Sequence, residues 1–181
     1  MRTTRFVLGF AAPVVVLSAL AGLGCSGSDE HLAVRGSATV TAASVRTGFE
    51  FATDTRLDAD SSAVADGRTV GHCTIHRTSS GVPTLDVALS RPGANPMGGL
   101  AMRSYKIHVD DTRVPAHGTV TAELGDVTFS ASSGADCTIE VSYLDVQQGI
   151  AGVTASCSLA GSDGSTATTT ADLEWAGCTV E

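Results

Sequence analysis

The stretch "GTVTAELGDVTFSAS", residues 118–132, carries two runs of alternating character on either side of a glycine-aspartate pair. Val120, Ala122 and Leu124 alternate with Thr119, Thr121 and Glu123, and Val127, Phe129 and Ala131 resume the alternation after Gly125-Asp126. Side chains of a strand point to opposite faces in turn, so this is the pattern of two half-buried strands. A two-residue loop with glycine first is the signature of a type II′ turn. It sets Leu124 opposite Val127, Ala122 opposite Phe129 and Val120 opposite Ala131, so every apolar residue meets an apolar partner.

The same test applied to "CTIEVSYLDVQQGIAGVTASC", residues 137–157, predicts a second hairpin. A turn near Gln147 aligns Ile139 with Ala155 and Val141 with Val153, and makes Cys137 and Cys157 neighbours. Further strands are predicted near 38–42, 48–53, 68–76, 84–90, 102–109 and 166–175, separated by turn chemistry at Asp66-Gly67, Ser80-Gly81, Pro92-Gly93, Pro96 to Gly99 and 161–165. Short strands at this spacing indicate an all-β fold, an antiparallel β-sandwich or barrel. Between Thr53 and Gly67 the alternation is lost, which suggests a loop or one short helical turn. No internal repeat is evident.

With 181 residues the chain has room for about one domain, placed at 37–181. Aromatic residues make up only 4%, and Ala and Thr dominate the strand faces. Such faces bury less apolar area than Leu or Phe, at about 25 cal/mol per Å², so the core is thin and covalent bracing is useful. Cys73, Cys137, Cys157 and Cys178 form an even set suited to two disulfides in an oxidising compartment. Four cysteines permit three connectivities. The hairpin register favours Cys137 with Cys157, leaving Cys73 with Cys178 to tie an early strand to the end of the chain.

The fifth cysteine, Cys25, is the odd thiol, and it closes an opening segment with a leader pattern. Arg2 and Arg5 precede the apolar run "FVLGFAAPVVVLSALAGL", which ends in small residues, as in an export signal. Residues 1–24 are therefore expected to be cleaved, although Ala19-Leu20-Ala21 offers an alternative cleavage point. The segment Leu20 to Cys25 resembles the signal of bacterial lipoproteins. Gly24 and the polar "SGSDEH" after the cysteine fit that pattern, while Gly22 stands where the family has a larger aliphatic residue. The resemblance implies that Cys25 receives a diacylglycerol thioether and fatty acyl chains such as palmitate. Residues 25–36 would then be lipid anchor and flexible tether, with the protein on a cell membrane or outer membrane, facing outside the cytoplasm. A cysteine in "VGHCT" and another in "GCTVE" give the domain an architectural likeness to the mycobacterial lipoprotein antigen family, which lacks counterparts of Cys137 and Cys157. The later Cys and Gly pattern is similar to that of small exported lipoproteins of myxobacteria, commonly unassigned in function.

Formal charge is −8, and loss of Arg2 and Arg5 with the leader deepens it to −10. A negative surface argues against nucleic acid and against polybasic docking to anionic lipid. Arginine supplies almost all the basic residues; Lys106 is the exception.

Candidate chemistry is sparse. His72 and His76 lie four apart, but on a strand rising ~3.3 Å per residue they stand about 13 Å from each other, too far to share one ion. Each would need His108 or His117 from elsewhere. The cysteines lack C-x₂-C spacing for zinc. Asp54, Asp58, Asp60 and Asp66 do not satisfy the calcium-loop pattern, because Thr69 stands at the closing Glu position. No G-x-S-x-G elbow and no S-x-x-K motif is present. His108 with Asp110 or Asp111 reads as a strand running into a loop. Trp175 shares a face with Leu173 and Ala171 and is expected in the core. No catalytic residue, metal ligand or cofactor is assigned. The expectation is a lipid-anchored envelope protein with a binding, structural or surface-interaction role toward an envelope or extracellular partner. The alternatives are a small-ligand carrier, needing an interior of roughly 300 Å³ or more, and an exported hydrolase.

Overall fold

A computed structural model describes residues 32–57, 68–91 and 101–181. Eleven strands make one sheet, and among the described residues there is no helix. The strands are β1 (Ala33–Ala42), β2 (Val45–Arg56), β3 (Val70–His76), β4 (Thr84–Ser90), β5 (Met102–Asp111), β6 (His117–Leu124), β7 (Val127–Ser132), β8 (Cys137–Asp145), β9 (Ile150–Gly161), β10 (Thr166–Ala176) and β11 (Thr179–Val180). Their order is β11-β3-β4-β5-β6-β7-β9-β10-β1-β2, with β8 beside β9. The all-β expectation holds, and the sheet is strongly curled into a half-barrel. It is mixed rather than wholly antiparallel, because β11 runs parallel to β3.

The hairpin that decided the fold has the expected register, with Leu124 opposite Val127, Ala122 opposite Phe129 and Val120 opposite Ala131. Gly125 takes φ 57° at its turn, the left-handed value that glycine adopts without a Cβ clash. In β8 and β9, Cys137 faces Cys157, Ile139 faces Ala155 and Val141 faces Val153. Both predicted disulfides, Cys73–Cys178 and Cys137–Cys157, are formed.

The inner face gathers one apolar cluster from every part of the curl, including Val40, Ile75, Val87, Ile107, Ile139 and Leu173. Trp175 is buried there, as its alternation implied. At Gly71 a Cβ would lie 2.4 Å from Leu57 Cδ1 and 3.1 Å from Trp175 Cζ3, so glycine lets β3 pack against these side chains without displacing them. Side-chain contacts also join β2, at one end of the strand order, to β5 and to the residue that follows β4. The Met102 amide donates to Thr47 Oγ1 at 3.3 Å, and the Arg91 guanidinium stands 4.7 Å above the Phe49 ring. The Thr169 hydroxyl donates to the Thr39 carbonyl of the adjacent strand β1 at 2.8 Å and, across the interior, meets the Tyr105 hydroxyl at 3.1 Å. Burial pushes the Tyr105 phenol up to about 12, partly offset by the Thr169 contact.

The ends of some elements differ from the sequence reading. The sheet begins at Ala33 and Leu32 is buried, so residues 32–36, expected in the tether, belong to the folded domain. β2 continues to Arg56, past the point where alternation fades, because it is held by pairing with β1: Ala33 faces Arg56 and Val34 faces Thr55. Cys25, the leader and Asp58, Asp60 and Asp66 lie outside the described residues.

Candidate functional site

A groove of about 550 Å³ runs over the outer face of β3, β4, β5 and β6, opposite the apolar interior. Register explains its composition. The residues between the inward-facing Cys73, Ile75, Val87 and Ile107 must point outward, and pairing sets them in two rows. Thr74 faces Asp86, Asp86 faces His108, and His108 faces Thr119; in the next row His72 faces Ala88, Ala88 faces Lys106, and Lys106 faces Thr121. Ala88 is the short residue in the second row, and the depression forms where its side chain leaves space between His72 and Lys106.

Along one side of this groove runs a chain of alternating carboxylates and imidazoles. Asp86 is at its centre, with Oδ2 3.2 Å from His76 Nε2 and Oδ1 2.5 Å from His108 Nδ1. The other nitrogen of each ring is also engaged: His76 Nδ1 lies 3.2 Å from Glu181 Oε2, and His108 Nε2 lies 2.8 Å from Asp110 Oδ1. Glu181 is delivered by β11, whose backbone is locked on by Glu181 N to Ile75 O at 3.0 Å and Arg77 N to Glu181 O at 2.7 Å. Burial acts to lower the His108 pKa, but hydrogen bonds and charge from Asp86 and Asp110 outweigh it and hold the imidazole above its ordinary value. A ring with both nitrogens on carboxylates is satisfied as an imidazolium, which donates twice.

The histidines that sequence reading set apart are thus partly brought together. His72 and His76 occupy the same face of β3 and do not converge; His76 and His108 do, through Asp86. His72 Nε2 contacts Thr74 Oγ1 at 2.9 Å instead, and among the described residues no carboxylate contacts His72. Asp111, the other acid beside His108, is turned to Arg113, whose hydrogen bonds hold its carboxyl down to about 2. His117 begins β6 opposite Asp111, away from the groove chain. Among the described residues no group of three or more His, Cys, Asp or Glu side chains is placed to hold a metal ion. Asp54 lies on β2, in a separate shallow depression with Arg35 and Tyr143.

Asp86, Lys106, Thr119, Thr121 and Glu181 were not singled out as a site from the sequence. The available signal was alternation: residues two apart on β3, β4, β5 and β6 were already assignable to the outer face. The order of those strands was the missing information. Compared with protein-family models, with curated proteins and with solved structures, the chain matches none of them.

Proposed function

We propose that this chain is an exported protein, held on the outside of a cell membrane or outer membrane by lipid on Cys25, whose braced β-domain is a binding module. The observation that carries the binding role is the groove over Ala88. Its volume of about 550 Å³ falls in the ~300–1,000 Å³ range of small-ligand sites, and it is walled by histidine, lysine, threonine and carboxylate side chains. The disulfides Cys73–Cys178 and Cys137–Cys157 support a compartment outside the cytoplasm, where such bonds persist. The odd Cys25 after an apolar leader supports the anchor, since two or more acyl chains at ~0.8 kcal/mol per buried CH₂ hold a protein stably on a bilayer.

The groove favours binding over hydrolysis. A general base needs a ring nitrogen within reach of its nucleophile and a third group to orient it. His108 spends both nitrogens on carboxylates, and the Thr74 hydroxyl pairs with a histidine that has no carboxylate behind it. The second reading is a small-ligand carrier, favoured by the same groove volume; its ligand would sit on the outer face, since Tyr105 and Thr169 meet across the interior. The anchor is tested by Cys25→Ser in the producing cell. Release of the protein from the membrane fraction into the soluble one is expected, and undiminished membrane retention refutes the anchor.

A further inference from the structure

Charge pairing in the groove is lopsided. Every carboxylate of the chain Glu181, Asp86 and Asp110 is engaged by an imidazole nitrogen. Lys106, the only lysine of the sequence, is exposed and has no hydrogen bond or ion pair among the described residues. The hydroxyls of Thr121, directly across from Lys106, and of Thr119, directly across from His108, are likewise without a partner among the described residues. The β5–β6 side of the groove therefore presents an ammonium and two hydroxyls with nothing to bind, beside an imidazole that its carboxylates keep in the donating form. The floor between them is the methyl group of Ala88.

We propose that this groove binds the oxyanion group of a small ligand, a carboxylate or a phosphate, seated over Ala88 with Lys106 as its counter-ion and Thr119 and Thr121 as hydrogen-bond donors. The assignment rests on the reading of the groove as the protein's binding site, and it adds the ligand's chemistry. Carboxylates and phosphates match it because they are acceptor-only groups of opposite charge, and hydrogen bonds to a charged partner are the stronger kind. A cationic ligand is disfavoured, because each acid it would need is already paired with a ring.

The test is calorimetric titration of the intact protein in detergent at fixed ionic strength, with three probes: inorganic phosphate, succinate and ethylammonium. Saturable binding of phosphate or succinate is expected, and which of the two binds more tightly identifies the oxyanion. Lys106→Met should weaken it by about tenfold or more, the scale of one charge-assisted hydrogen bond. Lys106→Arg should retain most of it, and Ala88→Leu should abolish it by filling the floor. The Lys106 side chain is exposed, so its variants test the site without disturbing the core; an unchanged far-ultraviolet spectrum verifies the fold of Ala88→Leu. Phosphate or succinate binding that is unaltered in Lys106→Met overturns the proposal. Saturable ethylammonium binding, lost in Ala88→Leu and retained in Lys106→Met, overturns the oxyanion and preserves the groove as a site. Absence of binding with all three probes overturns both.

Discussion

At one wall of the curl, Cys137 and Cys157 face each other within the long β8–β9 ladder, 20 residues apart in sequence. At the other, Cys178 reaches back 105 residues to Cys73 and holds a strand of two residues, paired to β3 through Thr179 and Val180. The first bond joins positions that a hairpin register already aligns. The second joins a chain end that has little ladder of its own, and it carries Glu181 to the groove. Local bracing thus secures the scaffold, while long-range bracing assembles the candidate site.

The strongest way to break this contrast is to remove each bond in turn. In the chain-entropy model a link of the longer span contributes almost 5 kcal/mol and one of the shorter span about 3 kcal/mol. Cys73→Ala with Cys178→Ala should therefore give the larger loss of stability in urea unfolding. It should also collapse hydrogen-exchange protection at the Glu181 amide, which donates to Ile75 O. Cys137→Ala with Cys157→Ala should cost less and leave that amide protected, because the ladder that holds β11 runs to β3, through Thr179 with Thr74 and Val180 with Ile75. Equal losses, or an Glu181 amide that stays protected without Cys178, would show that β11 docks without its disulfide.

The contrast also separates what the sequence made legible from what it did not. The β6–β7 and β8–β9 hairpins could be read because their partners are adjacent in the chain and their alternation fixes register to the residue. The pairing of Cys73 with Cys178 followed from the first disulfide. The β1–β2 hairpin was missed, because its turn residues Ala43 and Ser44 sit at φ 47° and 68° with no glycine or asparagine to announce them. β11 is too short to show a period, and its parallel pairing leaves no local trace. The groove needs β3, β4, β5 and β6 side by side, and alternation within each strand says nothing about which strand lies next. That is why Asp86 read as an ordinary strand carboxylate, although it joins two histidines.

A smaller effect sharpens the point about the unannounced turn. Left-handed backbone costs a residue with a Cβ roughly 1–2 kcal/mol, and glycine escapes it. Ala43→Gly should thus raise stability by up to about 1 kcal/mol, once the greater freedom of glycine in the unfolded chain is subtracted. The measurement is the urea midpoint with the slope unchanged. A loss of stability would mean that the Ala43 methyl makes contacts outweighing its backbone strain.

The smallest effect is on the groove wall and concerns pH. His108 is faced by Asp86 from β4 and by Asp110 on its own strand, with Lys106 two residues away on the same face and His76 across Asp86. The carboxylates raise its pKa in the folded protein. A group with a raised folded pKa contributes stability in full below its unfolded value, which is about 6.5 for histidine, and loses that contribution as pH climbs through the folded value. The domain should therefore lose a small increment of stability between the unfolded and the raised folded pKa. Because the side chain is 43% exposed, solvent screens the pair and the increment stays modest. Asp86→Asn removes the central charge, so the His108 titration followed by NMR should move down and the stability profile should flatten over that interval. An unmoved His108 titration in Asp86→Asn would place the control of this imidazole in Asp110, its partner on the same strand.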